Sequence, residues 1–404
     1  MITKEQSELQ NDILARISEN LDISETLYEQ ITTSYQSVGE WLSKDNNPLA
    51  KYSPTIRPQG SFLLGTMIKP INEDDDVDID MICELSKKPD CWTQKDLKNA
   101  IGNRIKMHDR YKKMLKSQEG GRRCWTLIYA DSKYHMDIIP SLVQEGYTLI
   151  VDSAMSNVQK QDMSDLAIRI TDRRLPNYDK ETDPERWMSS NPIGYAKWFY
   201  SIAMKTSSVK LFSLNEAIRP VPSFQKKKYP LQVAVQLLKR HRDIHYGSDD
   251  DKPISIIITT LAARVYDKYM GDTVSATIRN IVDHINDFII YDGIRYKVLN
   301  PVNPDENFAD KWYETPRKKE VFFKWLKKLK EDMIYILDTP KIMDSSIKLK
   351  ESFGDKVVAK IFTEISQEHR LLRENNGLKM TASGTLTTNA PISVKAAHTF
   401  HGKI

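Results

Sequence analysis

From Val77 to Leu85 the chain alternates with a period of two. Val77, Ile79, Met81, Cys83 and Leu85 share one face of an extended segment, and Asp76, Asp78, Asp80 and Glu84 share the other. A strand of this kind constrains the fold strongly, because its aliphatic side must pack and its carboxylate side must find positive charge. Asp78 and Asp80, an i, i+2 step apart, repel and raise each other's pKa unless cations lie between them. A hard divalent ion such as Mg2+ takes one or two carboxylates together with substrate phosphates, so an Asp-x-Asp strand beside a phosphate-holding turn points to metal-dependent phosphoryl or nucleotidyl transfer. Gly60-Ser61 supplies that turn, with Gln59 before it as a further substrate-binding candidate. Glycine lets the backbone approach a phosphate, serine offers a hydroxyl, and a helix expected over Phe62 to Met67 would aim its positive end at the anion. The acidic run Glu73 to Asp76 alone would read as an ordinary solvated loop. What sets this stretch apart is the pairing of Gly-Ser with Asp-x-Asp and a third carboxylate downstream.

Composition narrows the class. A chain of 404 residues can hold two domains or one large bilobed unit. Its 59 Lys and Arg against 55 Asp and Glu leave a formal charge of only +4, which does not describe a dedicated nucleic-acid coating protein. Cys83, Cys91 and Cys124 have no Cys-x-x-Cys or Cys/His ligand spacing, so neither a disulfide framework nor a zinc ribbon is expected, and a reduced cytoplasm is the default location. The first residues, MITKEQSELQNDIL, carry no apolar signal core, and no run reaches the length of a membrane span.

Residues 1–49 hold one or two amphipathic helices, with Leu9, Ile13, Ile17 and Leu21 on one stripe. An α/β unit follows over residues 50–165. It contains a helix over Lys95 to Leu115, then strands Arg123 to Ala130 and Tyr134 to Leu142 joined by Asp131-Ser132-Lys133. In the second of these, Asp137 lies among Met136, Ile138 and Ile139, where a charge is costly unless paired or metal-bound. It is the third candidate carboxylate, and an edge-strand aspartate facing water is the alternative.

Residues 166–374 read as a helical lobe, with Trp187, Trp198, Phe199 and Phe212 spaced as core aromatics. The helix LQVAVQLLKRHRD carries an apolar stripe of Val233, Leu237 and Leu238, with Lys239 beside it as a charge suited to a triphosphate or as a plain surface lysine. His241 and His245 stand four residues apart without an evident acidic or cysteine partner. Lys318 to Asp332 is an amphipathic helix packing Phe322, Trp325, Leu326 and Leu329, and residues 375–404 look like a flexible tail.

QGSFLLGT, IKPINEDDDVDIDMICEL, HMDIIPSL, LQVAVQLLKRHRD and NPDENFADKW, in this order, resemble the bacterial cGAS/DncV-like nucleotidyltransferases, the oligonucleotide cyclases of CBASS antiphage defence. The resemblance covers most of residues 50–340. It implies a polymerase-beta-like nucleotidyltransferase core of α/β (α+β) class with a C-terminal helical lobe and a central cleft, bridged by the N-terminal helices. It further implies that Gly60 and Ser61 hold a donor triphosphate, that Asp78, Asp80 and Asp137 bind two Mg2+ ions for which Mn2+ can substitute, and that Lys239 and Ser255 steady the triphosphate.

The expected reaction joins NTPs, ATP among them, into a cyclic di- or trinucleotide second messenger with release of pyrophosphate. A linear oligoadenylate or RNA nucleotidyltransferase would use the same carboxylates, and a silent nucleotide- or RNA-binding module is the alternative outside enzymology. The chain lacks residues for the DNA-sensing zinc ribbon of the metazoan relatives. A monomer is expected, with an operon-encoded regulator acting on the tail, although Gly402 is followed by Lys403 and Ile404.

Overall fold

The computed structural model describes residues 3–72, 75–143, 167–205, 224–382, 384–388 and 390–394. Helix α1 (Lys4–Leu21) opens on a capping box in which Thr3 and Gln6 exchange side-chain and backbone bonds, and α2 (Glu25–Ser43) opens on Ser24. Strand β1 (Thr55–Pro58) leads into the short helix α3 (Gly60–Leu64), which begins two residues earlier than expected and stops at the left-handed Gly65.

Beyond it run β2 (Val77–Leu85), α4 (Gln94–Lys106), α5 (Asp109–Met114), β3 (Trp125–Tyr129), β4 (Tyr134–Val143), β5 (Ile168–Ile170) and β6 (Met188–Ser190). The single helix expected over Lys95 to Leu115 is two, because His108 is extended, with its ring stacked on Tyr111 and edge-on to Trp41.

These strands form one six-stranded sheet in the order β1-β2-β4-β5-β6, with β3 also on β4. β2 and β4 run parallel and the other pairs antiparallel. β4 is therefore flanked on both sides, and Asp137 is not on an edge strand. The sheet continues past residue 165 to Ser190, where Ile168 and Ile170 find cover against Ile82.

Helices α6 (Pro192–Ala203), α7 (Pro230–Tyr246), α8 (Ser255–Lys268) and α9 (Val274–His284) build the second lobe. Two small hairpins follow, β7 (Ile290–Tyr291) with β8 (Tyr296–Lys297) and β9 (Leu299–Asn300) with β10 (Asn303–Asn307). The chain then forms α10 (Lys311–Glu314), α11 (Pro316–Asp338), α12 (Ser346–Phe353) and α13 (Asp355–Glu374). In α11 the stripe Phe322, Trp325, Leu326 and Leu329 is buried, each side chain contributing roughly 2–3 kcal/mol of burial. The segment read as a tail contains three two-residue strands, β11 (Lys379–Met380), β12 (Leu386–Thr387) and β13 (Ile392–Ser393), paired in one sheet. Trp187, Trp198 and Phe199 are core residues, and Phe212 lies outside the described residues.

Two large apolar cores result. Ile13, Leu14, Ile17 and Leu21 of α1 pack with the helices of the second lobe, whereas Ile31, Val38 and Leu42 of α2 pack with Val77, Ile79, Met81 and Cys83 under the sheet. Helix α3 belongs to both, with Phe62 in the sheet's core and Leu63 and Leu64 in the helical one. The Gly-Ser turn thus sits at the seam.

The three cysteines are free, and no helix of the described residues is long and apolar enough to cross a membrane.

Candidate active site

The parallel register of β2 on β4 sets Asp80 directly opposite Asp137, and Asp78 opposite His135. Side chains two apart on a strand share a face, so Asp78, Asp80, His135 and Asp137 line the same side of the sheet. Burial, reinforced by the neighbouring charges of Asp137 and Asp78, pushes the Asp80 carboxyl up to about 7. A carboxyl held that high beside two others is short of positive charge, which is the condition a divalent ion satisfies. Asp78, Asp80 and Asp137 are the residues that would hold such an ion.

Each flanking carboxylate has a partner that sequence reading missed. The Thr126 hydroxyl donates to Asp137 at 2.5 Å, from the position on β3 directly across from it. His135 bonds Asp78, which holds the Asp78 carboxyl below its ordinary value and raises the imidazole in return. Thr126 could have been found only by knowing the β3–β4 register.

Gly60 lies against Asp80. Its φ is +62°, and a Cβ there would come within 2.6 Å of Asp80 Oδ2, so the position requires glycine twice over. The Gln59 backbone N–H donates to Asp80 O at 3.0 Å, which fixes the turn to the carboxylate strand. Ser61 is in the first turn of α3.

Behind the turn, α7 presents a row of polar side chains. Gln232 donates to Leu64 O at 2.9 Å, Gln236 to Met67 O at 2.7 Å, Lys239 to Thr66 O at 2.8 Å and Arg240 to Lys69 O at 2.6 Å. Lys239 is consequently buried rather than on the surface, and burial, with Arg242 adding to it, lowers its ammonium to about 7 while Asp243, Asp80 and Asp78 oppose the shift. Ser255 begins α8, and its hydroxyl accepts from Arg242 at 2.8 Å. Arg242, one turn beyond Lys239 on α7, is a second residue that sequence reading missed, hidden in the basic run KRHRD.

A cleft of about 710 Å³ opens beside the turn and is lined by Gln59 and Gly60 from the first lobe and by Ile254, Ile256 and Glu306 from the second. β10 closes its side, where Asn303 reaches Ser189 O of β6 at 3.4 Å.

Another cluster corrects an expectation. His241 and His245 do have an acidic neighbour, Asp332 of α11, with ligand atoms within 4.8 Å of one another. The Trp325 indole donates to His241 Nδ1 at 3.1 Å, which leaves the proton on Nε2 to face Asp332 at 3.1 Å. Lys328 and Lys348 also pair with Asp332. Both imidazole nitrogens are committed, so the cluster serves as an internal polar tie between α7, α11 and α12.

Comparison with known proteins adds to the fold described above. The profile of the Second Messenger Oligonucleotide or Dinucleotide Synthetase domain matches residues 8–160. A c-di-GMP synthase of Roseivirga ehrenbergii is 27% identical over 393 residues, covering 96% of each chain. A cyclic dinucleotide synthase, CdnG, of Bradyrhizobium diazoefficiens is 23% identical over 431 residues, covering 97% of this chain and 94% of that one. The structure of that CdnG in complex with GTP superposes with a TM-score of 0.64 at 20% identity, over 89% of this chain and 99% of the other. The sheet with its helical second lobe is a polymerase-beta-like nucleotidyltransferase fold, and the chain is similar over nearly its whole length to bacterial cyclic dinucleotide synthases of the cGAS/DncV-like kind.

Proposed function

We propose that this nucleotidyltransferase joins nucleoside triphosphates into a cyclic dinucleotide second messenger of the CBASS type, using Mg2+ held by Asp78, Asp80 and Asp137. The observation that carries the reading is the pairing of Asp80 with Asp137 across parallel strands, under a glycine turn that only a residue without a side chain can form. Divalent ions bound there would lower the pKa of an acceptor hydroxyl and offset charge on the triphosphate and pyrophosphate.

The chain's own residues do the rest. Gly60 lets a phosphate approach the backbone, and the Ser61 hydroxyl faces it as a donor. Lys239 and Ser255 steady the triphosphate from the second lobe, with Arg242 fixing the serine rotamer. Asp137, held by Thr126, orients the attacking hydroxyl and takes its proton. A linear intermediate turned round in the same cleft offers its remaining hydroxyl for a second attack, which closes the ring.

Both relatives are named for cyclic dinucleotide synthesis, and one for c-di-GMP, so guanine nucleotides are the first substrates to test. Purified protein incubated with all four NTPs and Mg2+ or Mn2+ should release pyrophosphate and yield a product that resists phosphatase. A phosphatase-sensitive ladder would instead identify a linear polymerase. Asp78→Ala with Asp80→Ala should abolish turnover while leaving the fold intact, and unaltered turnover in that variant would refute the metal assignment. Shortening the chain after Asn375 tests a regulator acting on the tail, and unchanged synthesis with an unchanged response to gene neighbours rejects it.

A further inference from the structure

The cleft has a second polar wall that the chemistry above leaves unused. Arg122 and Arg123, just before β3, both line it, and both are anchored by Asp172, whose side chain is fully buried. Arg122 Nε donates to Asp172 Oδ1 at 2.8 Å, Arg122 places a second nitrogen 2.6 Å from Oδ2, and Arg123 Nε donates to Oδ2 at 2.9 Å. A buried carboxylate with three such bonds holds two guanidiniums in fixed orientation while over a third of each remains exposed.

Glu306 of β10 lines the same cavity, where a bulge between Asn303 and Asn307 disturbs the strand. Asn300 donates to one Glu306 oxygen at 2.8 Å. The Glu306 carboxyl is raised by desolvation, opposed by Asn300 and by the field of Arg123, yet among the described residues the ion-pair partner of Arg123 is Asp172. Two opposite charges that line one cavity with no ion pair between them, among the described residues, leave room for a ligand to bridge them.

That room suits a particular ligand. Asp172, Glu306 and the nearby Asp310 offset both guanidiniums, so the walls do not favour a triphosphate of several negative charges. They favour a neutral, strongly dipolar ring with acceptors on one edge and donors on the other. Guanine has acceptors at O6 and N7 for a guanidinium, and N1–H and N2–H2 as donors for a carboxylate. Adenine would set an amino group against the guanidinium and a bare nitrogen against the carboxylate. Uracil can make one bond to each wall where guanine makes two.

We propose that Arg122 and Arg123 on one wall and Glu306 on the other select a guanine base in the cleft, making GTP a required substrate. This rests on the nucleotidyltransferase reading and names its substrate.

Titration calorimetry with the α,β-methylene analogues of GTP, ATP and UTP separates the two claims, since no turnover is needed. The wild-type protein should bind the GTP analogue about 10- to 100-fold more tightly than the ATP analogue. Glu306→Gln and Arg123→Gln should each weaken the GTP analogue about 10- to 100-fold and leave the ATP analogue unchanged. Equal affinity of the wild type for all three analogues, or losses in the variants that do not depend on the base, would overturn the proposal. Turnover lost in the Asp78, Asp80 variant alongside such indifference would leave the chemistry standing and remove only the base assignment.

Discussion

At the scale of single residues, the site is defined by what cannot be replaced. Gly60→Ala places a methyl group within 2.6 Å of Asp80 Oδ2 in a left-handed backbone position that costs an L-residue roughly 1–2 kcal/mol. Displacement of the turn or of the carboxylate follows, and synthesis should fall by more than stability does, as measured by turnover alongside thermal unfolding. Thr126→Val keeps the β-branched shape and removes only the hydroxyl that holds Asp137. Removing such an outer partner of a metal ligand typically costs about 10- to 100-fold in metal affinity or activity. A Mn2+ titration of Thr126→Val against the wild type measures this, and an unchanged midpoint with unchanged turnover would show that Asp137 needs no support.

At the scale of elements, α7 is the organising helix, and its polar row is as informative as its apolar stripe. Gln232, Gln236 and Arg240 recur every four residues and, with Lys239, satisfy four backbone carbonyls between Leu64 and Lys69. The non-repetitive segment after α3 is thereby fixed to the second lobe. Gln236→Leu leaves the Met67 carbonyl without its donor inside the protein, and should cost on the order of 1–3 kcal/mol in denaturant unfolding. Lys239→Met keeps the volume but removes the charge, so nucleotide affinity should drop about tenfold or more while the fold persists, in the same calorimetric assay. Helix α4 offers a purely structural counterpart. A Cβ at Gly102 would stand 2.0 Å from the Trp125 ring, so Gly102→Ala should destabilise by about 1–3 kcal/mol through overpacking, without a specific effect on nucleotide binding.

At the scale of the whole molecule, two cores meet along α3, and both lobes contribute to one cleft. Asp172 illustrates how a distant part of the chain stabilises that arrangement. Burial alone would raise its carboxyl, but bonds from Arg122, the Arg174 backbone and Arg123 outweigh burial and hold it at about 2, below the ordinary 3.8. A carboxyl whose folded pKa is depressed contributes stability that is complete above its unfolded pKa and is lost as pH falls through the folded one. The stability difference between wild type and Asp172→Asn should therefore be constant above about pH 4 and shrink between about pH 4 and pH 2. Chemical denaturation across that range reads the effect, and a difference that persists undiminished at the acid end would contradict it.

What the amino-acid order determined by itself was the local grammar: the alternating strand of Val77 to Leu85, the Gly60-Ser61 turn, the isolated Asp137 and the stripe of α11, each set by a period or a backbone preference within a few residues. Tertiary structure decided the rest. The register that puts Asp80 and Thr126 against Asp137, and the packing that brings Asp332 beside His241 and Glu306 within the field of Arg123, join residues from 11 to more than 180 positions apart. Such pairings are chosen by how whole elements pack, and no period along the chain encodes them. The same reason extends the sheet to β6, whose short strands carry too little pattern to be recognised before their neighbours cover them.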